Sequence, residues 1–98
     1  MSIYSAMRAG VTGLNANASA MAVISDNIAN LNTVGYKRSK SDFDALVNSQ
    51  NAATTYNAGG VIASTRRFID LQGSLNQTNS PTDLAINGNG FFIVTGSN

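Results

Sequence analysis

The sequence predicts an α+β fold in which one long helix precedes an irregular connector and a small β region with a hairpin. Apolar residues recur about every 3.5 positions over the first third of the chain, which is the spacing of a coiled-coil seam. In the last third, two Asn-Gly pairs stand between apolar runs, which is a strong hairpin signal. We therefore predict an N-terminal helical segment at 1–32, a connector at 33–60, and at 61–98 the start of a β domain that continues beyond residue 98.

The predicted helix runs from Ile3 to about Leu31 and carries its large apolar residues on one stripe. Ser2 is the expected N-cap, and residues 32–35 supply the stop. Several glycines, asparagines and serines make this helix weak in isolation, because these residues have low helix propensity. We therefore expect the helix to order fully only in an assembly, where partner subunits cover the stripe. The stripe residues expected to pack between subunits are Met7, Val11, Leu14, Ala18, Met21, Ile24, Ile28 and Leu31.

The connector and the β region contain weaker local signals. Residues 41–44 could begin a short helix, because two aspartates would lie in its first turn, and residues 48–60 are turn-rich and uncharged. The Asn-Gly pairs at 87–90 predict a type I′ turn with positive φ at both central residues. The predicted strands are at 61–62, 67–71, 75–78, 83–86 and 91–94.

Composition excludes several classes of function. The 98 residues include no Cys and no His, which excludes disulfides, Cys/His zinc sites and His-based acid–base catalysis. The aspartates lack the spacing of a calcium-binding loop, and no nucleophile–base pair can be named. Gly88-Asn89-Gly90 precedes a predicted strand rather than a helix, so it is a turn and not a phosphate-binding loop. We predict no enzymatic activity, no cofactor and no metal.

The charge pattern bounds the partners. Charged residues make up 11% of the chain and the net charge is +1, so the polar surface is mostly uncharged and suits packing against other protein. The basic residues at 37–40 are offset by Asp42 and Asp44, and Arg66 and Arg67 are far away in sequence, so no nucleic-acid partner is expected. No apolar run approaches a membrane span, and the sequence predicts no signal peptide, so we predict no membrane insertion.

Two motifs resemble signatures of the bacterial flagellar axial proteins, the rod and hook family. Residues 26–38, DNIANLNTVGYKR, resemble the signature at the end of that family's first helix, and residues 83–92, DLAINGNGFF, resemble one that precedes its variable outer domains. The opening residues are similar to the hook branch, with the distal rod branch as the alternative. The motif residues at the helix exit are Asn27, Asn30, Asn32, Thr33, Gly35, Tyr36, Lys37 and Arg38. Those of the hairpin motif are Asp83, Ile86, Asn87, Gly88, Gly90, Phe91 and Phe92.

The resemblance implies a structural subunit that self-assembles into a tubular helical polymer. In the hook branch this polymer is an extracellular universal joint that transmits motor torque in motility, whereas the alternative is a distal rod subunit of the basal body. The implied partners are copies of itself, other axial proteins at the distal rod and the hook–filament junction, and the flagellar type III export apparatus. The first helix is then expected to pair with a C-terminal helix in a coiled coil that lines a central channel.

The amide groups at the helix exit allow two interpretations. Asn27 and Asn30 can satisfy the exposed carbonyls of the helix end, or they can bridge to neighbouring subunits without burying charge. Gly35 is expected to permit the change of direction and Tyr36 to anchor it by packing, while the basic pair at 37–38 reaches helix-terminal carbonyls or a partner's carboxylate. A competing class of function is an independent binding module whose helix docks into a partner's groove.

Overall fold

The computed structural model of the chain describes residues 3–49 and 56–97. In chain order it contains helix α1 (Ile3–Ala29), strand β1 (Ser39–Ala45) and strand β2 (Val61–Arg67). This confirms the predicted α+β class and the long N-terminal helix. The chain divides into two compact units, the first ending at Phe68 and the second beginning at Ile69, and all three elements lie in the first.

Helix α1 ends at Ala29, slightly before the predicted end, because the last turn tightens. Asn30 N–H still donates to Asp26 O at 3.1 Å, but Leu31 N–H donates three residues back, to Ile28 O at 3.3 Å. Gly35 has a φ of 79°, a conformation that glycine adopts without steric cost, so the chain turns there as predicted. The expected N-cap, Ser2, lies outside the described residues.

Strands β1 and β2 form an antiparallel ladder in which Ser39 pairs with Arg67 and Ala45 with Val61. A further backbone hydrogen bond at one end joins Phe68 N–H to Arg38 O at 3.0 Å. The short helix predicted at 41–44 is wrong, because this segment is the middle of β1. Two aspartates in a possible first turn are a weak local signal, whereas pairing with β2 hydrogen-bonds the edge of the segment that faces β2.

The ladder covers the small-residue face of α1, and this contact forms the interior of the first unit. Among the described residues, Ala16 (3% exposed) is the buried apolar side chain and Ser39 (7% exposed) is the buried polar one. Thr12 Oγ1 accepts a hydrogen bond from Val61 N–H at 3.1 Å and donates one to Ala9 O at 2.7 Å. The half-buried residues of α1 are Ala9, Thr12, Gly13, Ala20, Val23 and Asn27, and together with Ala16 they follow a three-and-four spacing.

The predicted apolar stripe lies on the other side of α1. Each stripe residue lies about two positions before a residue of the covered face, as Leu14 does before Ala16. Two positions correspond to a rotation of about 200° around the helix axis, so the two faces are nearly opposite. Leu14 is 72% exposed and Leu31 is 76% exposed. The other stripe residues are also exposed in the first unit and are Met7, Val11, Ala18, Met21, Ile24 and Ile28. Small residues therefore make the intramolecular contact and large ones remain outside it.

The second unit has no helix or strand among its described residues, 69–97. The hairpin predicted between 83 and 94 is therefore not formed, and the predicted strand at 75–78 is also wrong. Of the predicted strands, 61–62 is confirmed within β2, whereas 67–71 enters β2 only through Arg67. No described residue other than glycine has a positive φ, which excludes a type I′ turn because Asn87 and Asn89 would need one.

A glutamine side chain organises the second unit in place of strand pairing. Gln72 Nε2 donates to Ile86 O at 3.0 Å, and Gly88 N–H donates to Gln72 Oε1 at 2.8 Å. The side-chain amide thus hydrogen-bonds to backbone groups on both sides of Asn87, as a neighbouring strand would.

Candidate interaction site at the helix exit

Asn27 joins the end of α1 to the start of β1. Its Nδ2 donates to Ser39 O at 2.7 Å, and its Oδ1 accepts from Ser39 N–H at 2.9 Å. The side-chain amide therefore satisfies both backbone groups of one residue, as a facing residue in an antiparallel sheet does. Because Ser39 is buried, these two hydrogen bonds remove the cost of leaving its peptide groups unpaired.

Tyr36 closes the same cluster from the connector. Its hydroxyl lies 3.0 Å from Asn27 Oδ1 and 3.1 Å from Asp26 Oδ2, and with one proton it donates to one of them at a time. Partial burial, together with the hydrogen bond and negative charge of Asp26, raises the pKa of Tyr36 above its usual value, although the Arg67 guanidinium acts in the opposite direction. Tyr36 is therefore a neutral donor at physiological pH.

Asn30 caps the helix locally. Its Nδ2 donates to Asp26 O at 2.9 Å and to Asp26 Oδ1 at 3.1 Å, while its Oδ1 accepts from Thr33 Oγ1 at 3.0 Å. Asn32 makes no hydrogen bond within the part of the chain that the structure describes. Of the predicted exit residues, the structure thus brings together Asn27, Asn30, Thr33 and Tyr36.

Two members of this cluster were missed as site residues by sequence reasoning. Asp26 lies inside the quoted motif, but its single carboxylate suggested no chemistry. Ser39 is a small polar residue just beyond the motif, and nothing local marks it as buried. The guanidinium of Arg38 lies over the ring of Phe68, with 4.4 Å between the guanidinium carbon and the ring centroid, and makes no hydrogen bond to a helix carbonyl among the described residues. The other expectation for Arg38, a partner's carboxylate, stays a prediction.

The strand register gathers basic residues that are distant in sequence. Lys40 pairs with Arg66, and Ser39 pairs with Arg67, so these arginines lie beside the 37–40 cluster in the fold although they are far from it in sequence. Arg66 lies over the Phe68 ring at 4.8 Å from the centroid, on which Arg38 also stacks. Five of the six basic residues of the chain thus occur near one end of the ladder.

The residues of the second motif do not form a comparable cluster in the second unit. Asp83 Oδ2 accepts from Thr78 Oγ1 at 2.7 Å, and Asp83 N–H donates to Ser80 O at 3.3 Å, which holds a local turn. Phe91 is 70% exposed and Phe92 is 61% exposed. Across residues 3–49 and 56–97, no group of His, Cys, Asp or Glu is arranged to hold a metal ion, and no helix is both long and apolar enough to cross a membrane.

Comparisons with known proteins agree with the two sequence motifs. Residues 7–37 match the family described as "Flagella basal body rod protein". The flagellar hook protein FlgE of Caulobacter vibrioides is 60% identical over 97% of this chain, and that of Rhizobium meliloti is 45% identical over 100% of it. The flagellar basal-body rod protein FlgG of Buchnera aphidicola is 42% identical over 85% of this chain. No solved structure matches the chain.

Over most of its length, the chain is similar to proteins of the rod and hook family of the bacterial flagellum. Of these three relatives, the two hook proteins have the higher identities, and the match is to their N-terminal part. The chain spans 16% of the length of the Caulobacter hook protein and 24% of that of the Rhizobium protein.

Proposed function

We propose that this chain is the inner part of a structural subunit of the bacterial flagellar hook. The subunit self-assembles into a tubular polymer outside the cell, where the polymer acts as a universal joint that transmits torque. The segment 1–32, which contains α1, is the inner-core part, 33–60 connect it outward, and 61–98, which contain β2, begin the outer part of the subunit. Packing between subunits, rather than catalysis, is the chemistry of this function.

The exposed apolar stripe of α1 is the observation that carries the proposal. Side chains as large as Leu14 (72% exposed) and Met21 (63% exposed) follow one side of the helix for most of its length. Contiguous apolar surface of this kind marks interaction sites in proteins, and its spacing is that of a coiled-coil seam. The ladder already covers the opposite face of α1, so the stripe is available to other helices.

The residues at the helix exit direct the chain from the inner helix toward the outer part of the subunit. The amide of Asn30 caps the helix and that of Asn27 binds Ser39, so both are engaged within the chain, which favours an intramolecular role over bridges between subunits. The partners we propose are further copies of the subunit, the axial proteins at the distal rod and at the hook–filament junction, and the type III export apparatus. The second motif, 83–92, lies where the outer domains begin.

A distal rod subunit is the alternative function, and the 42% identity to a basal-body rod protein favours it over an unrelated binding module. Both axial functions require self-association, whereas a binding module with a one-to-one partner does not. Self-association therefore separates the axial proteins from the module, and assembly onto purified rods or purified hooks separates the two axial functions.

The test is sedimentation velocity of the purified chain over a range of concentrations. The unmodified chain should form large assemblies, whereas the double variant Leu14→Gln/Met21→Gln should remain a monomer. By circular dichroism its helix content should equal that of the unmodified chain in dilute solution, before assembly. Asn15→Gln is the matched control, because Asn15 is exposed but lies beside the stripe, and it should assemble normally. Normal assembly of the double variant, or a monomeric unmodified chain, would contradict the proposal.

A further inference from the structure

The outward side of the β1–β2 ladder, which we term the outer face, carries charge of both signs at separate ends. Side chains alternate between the two sides of a strand, and Ser39 is buried against α1, so the residues next to it in the alternation point away. The outer face consists of Arg38, Lys40, Asp42 and Asp44 from β1 and its flank, and Ile62, Ser64, Arg66 and Phe68 from β2 and its flank.

The basic end of the outer face is pre-organised. The guanidinium carbons of Arg38 and Arg66 lie 4.4 Å and 4.8 Å from the centroid of the Phe68 ring. Stacking on an aromatic ring restrains a guanidinium while leaving its N–H edges available for a carboxylate. The charge of Lys40 is engaged with Asp42, at 3.0 Å between Nζ and Oδ1, so the two arginines are the cations offered to a partner.

The opposite end of the outer face is acidic and partly apolar. Asp44 pairs in register with Ile62, which is 53% exposed. Within the described residues, the carboxylate of Asp44 makes no ion pair and no hydrogen bond. Asp44 lies four residues along β1 from Lys40, and Lys40 pairs with Arg66. The distance along the strand from Asp44 to Lys40 is about 13 Å. Because this exceeds the Debye length of about 8 Å at physiological ionic strength, attraction between the two ends of one molecule is largely screened.

We propose that the outer face is a contact between copies of this chain, in which Arg66 of one copy pairs with Asp44 of the next. The face is complementary to itself, since each copy offers a stacked arginine and a carboxylate without a partner. The carboxylates of Asp42 and Asp44 on the same face would repel a nucleic acid, so a second copy is the favoured occupant. This inference rests on the proposed polymer and adds a specific contact to it, at a surface distinct from the stripe of α1.

Charge reversal tests the contact. The concentration at which half of the chain is assembled is measured by sedimentation in low salt for the unmodified chain, Arg66→Glu, Asp44→Lys and the double variant. Each single variant should raise that concentration about fivefold, the upper range for one exposed ion pair. The double variant restores the opposite charges across the contact, so it should return to within about twofold of the unmodified chain, and 1 M salt should reduce all differences.

A net-charge control separates this contact from general repulsion. Arg66→Glu/Asp70→Lys has the same net charge as the double variant but leaves Asp44 in place, so it should assemble as poorly as Arg66→Glu alone. Additive effects of Arg66→Glu and Asp44→Lys would overturn the contact while leaving the polymer intact. Poly-glutamate serves as a probe for a different acidic partner. If Arg66→Glu leaves assembly unaffected but abolishes binding of poly-glutamate to the chain, the basic end binds another acidic partner and the proposal is overturned. A chain that never assembles would overturn both this inference and the proposed function.

Discussion

At the scale of single residues, the asparagine-rich motif connects the end of α1 to the start of β1 through side-chain hydrogen bonds. Three uncharged amides at the end of an apolar stripe indicated hydrogen bonding without buried charge, and for Asn30 the local capping role follows from that pattern. The role of Asn27 does not, because its partner Ser39 is twelve positions away and is buried only once β1 lies against α1. Sequence alone therefore predicted the type of interaction at Asn27 but not its partner.

We expect Asn27→Ala to destabilise the first unit by about 1–3 kcal/mol, because it leaves both backbone groups of the buried Ser39 without partners. The gain in helix propensity on replacing Asn by Ala offsets only part of this loss. Urea unfolding followed by circular dichroism measures the difference. Asn17→Ala is the matched control, since Asn17 makes one exposed hydrogen bond to Gly13 O, and its effect should stay within about 0.5 kcal/mol. Equal effects of the two substitutions would contradict the role of Asn27.

We expect the folded chain to lose stability at alkaline pH because of Tyr36. Its pKa is raised in the folded chain, so folding favours the neutral phenol. The contribution is fully present below the ordinary tyrosine pKa of about 10 and is lost as pH rises through the raised folded value. The difference in Tm between the unmodified chain and Tyr36→Phe should be constant from about pH 7 to 9 and should shrink above about pH 10. A difference that does not change with pH would show that ionisation of Tyr36 is not linked to folding.

At the scale of elements, α1 has two faces with different roles. Its small residues pack against the ladder, and its large apolar residues remain exposed. The 3.5-residue spacing is local, so it predicted the helix and its stripe correctly. The pairing of β1 with β2 is not local, and the Ser- and Asp-rich β1 has low intrinsic strand propensity, so no short-range signal marked it. The apolar run after the second Asn-Gly pair gave a false signal. In the second unit it has no partner strand, and Ile93 is 98% exposed.

Gly60 is a position at which this arrangement leaves no room for a side chain. It has a φ of 88°, and a Cβ there would lie 2.6 Å from Thr12 Oγ1, the atom that accepts the Val61 hydrogen bond. We expect Gly60→Ala to destabilise the first unit by about 1–3 kcal/mol through backbone strain and loss of that hydrogen bond. Gly10→Ala is the contrasting control, because a Cβ at Gly10 meets nothing within 4 Å, and in a helix it should stabilise by up to about 1 kcal/mol. Thermal unfolding of both variants checks the opposite signs.

At the scale of the whole molecule, the chain has little interior of its own and much apolar surface to offer. Among residues 3–49 and 56–97, Ala16 is the one buried apolar side chain, and one alanine cannot supply the stability of a typical domain core. The stripe, by contrast, presents large side chains along α1. The weak helix-forming sequence is consistent with this, because packing rather than propensity stabilises most protein helices.

Amide hydrogen exchange should therefore divide α1 into two parts in dilute solution. Residues 12–27 lie between the hydrogen bonds of Thr12 and Asn27 to the ladder, so they should exchange more slowly than residues 3–11, which precede the first of these hydrogen bonds. Assembly should then protect both parts. Uniform exchange along the helix before assembly would show that the ladder does not order it, and unchanged exchange after assembly would show that the helix is stable alone.

The ties at Thr12 and Asn27 also have a mechanical consequence. They are fifteen residues apart, or about 22 Å along a helix, and the six steps from Ser39 to Ala45 span about 20 Å of strand. The helix segment and the ladder are therefore similar in length, lie side by side, and are joined to each other at both ends. Their stiffnesses add, so an axial load applied to this stretch must strain both, and compliance is left to the helical turns before Thr12 and to the connector after Asn27.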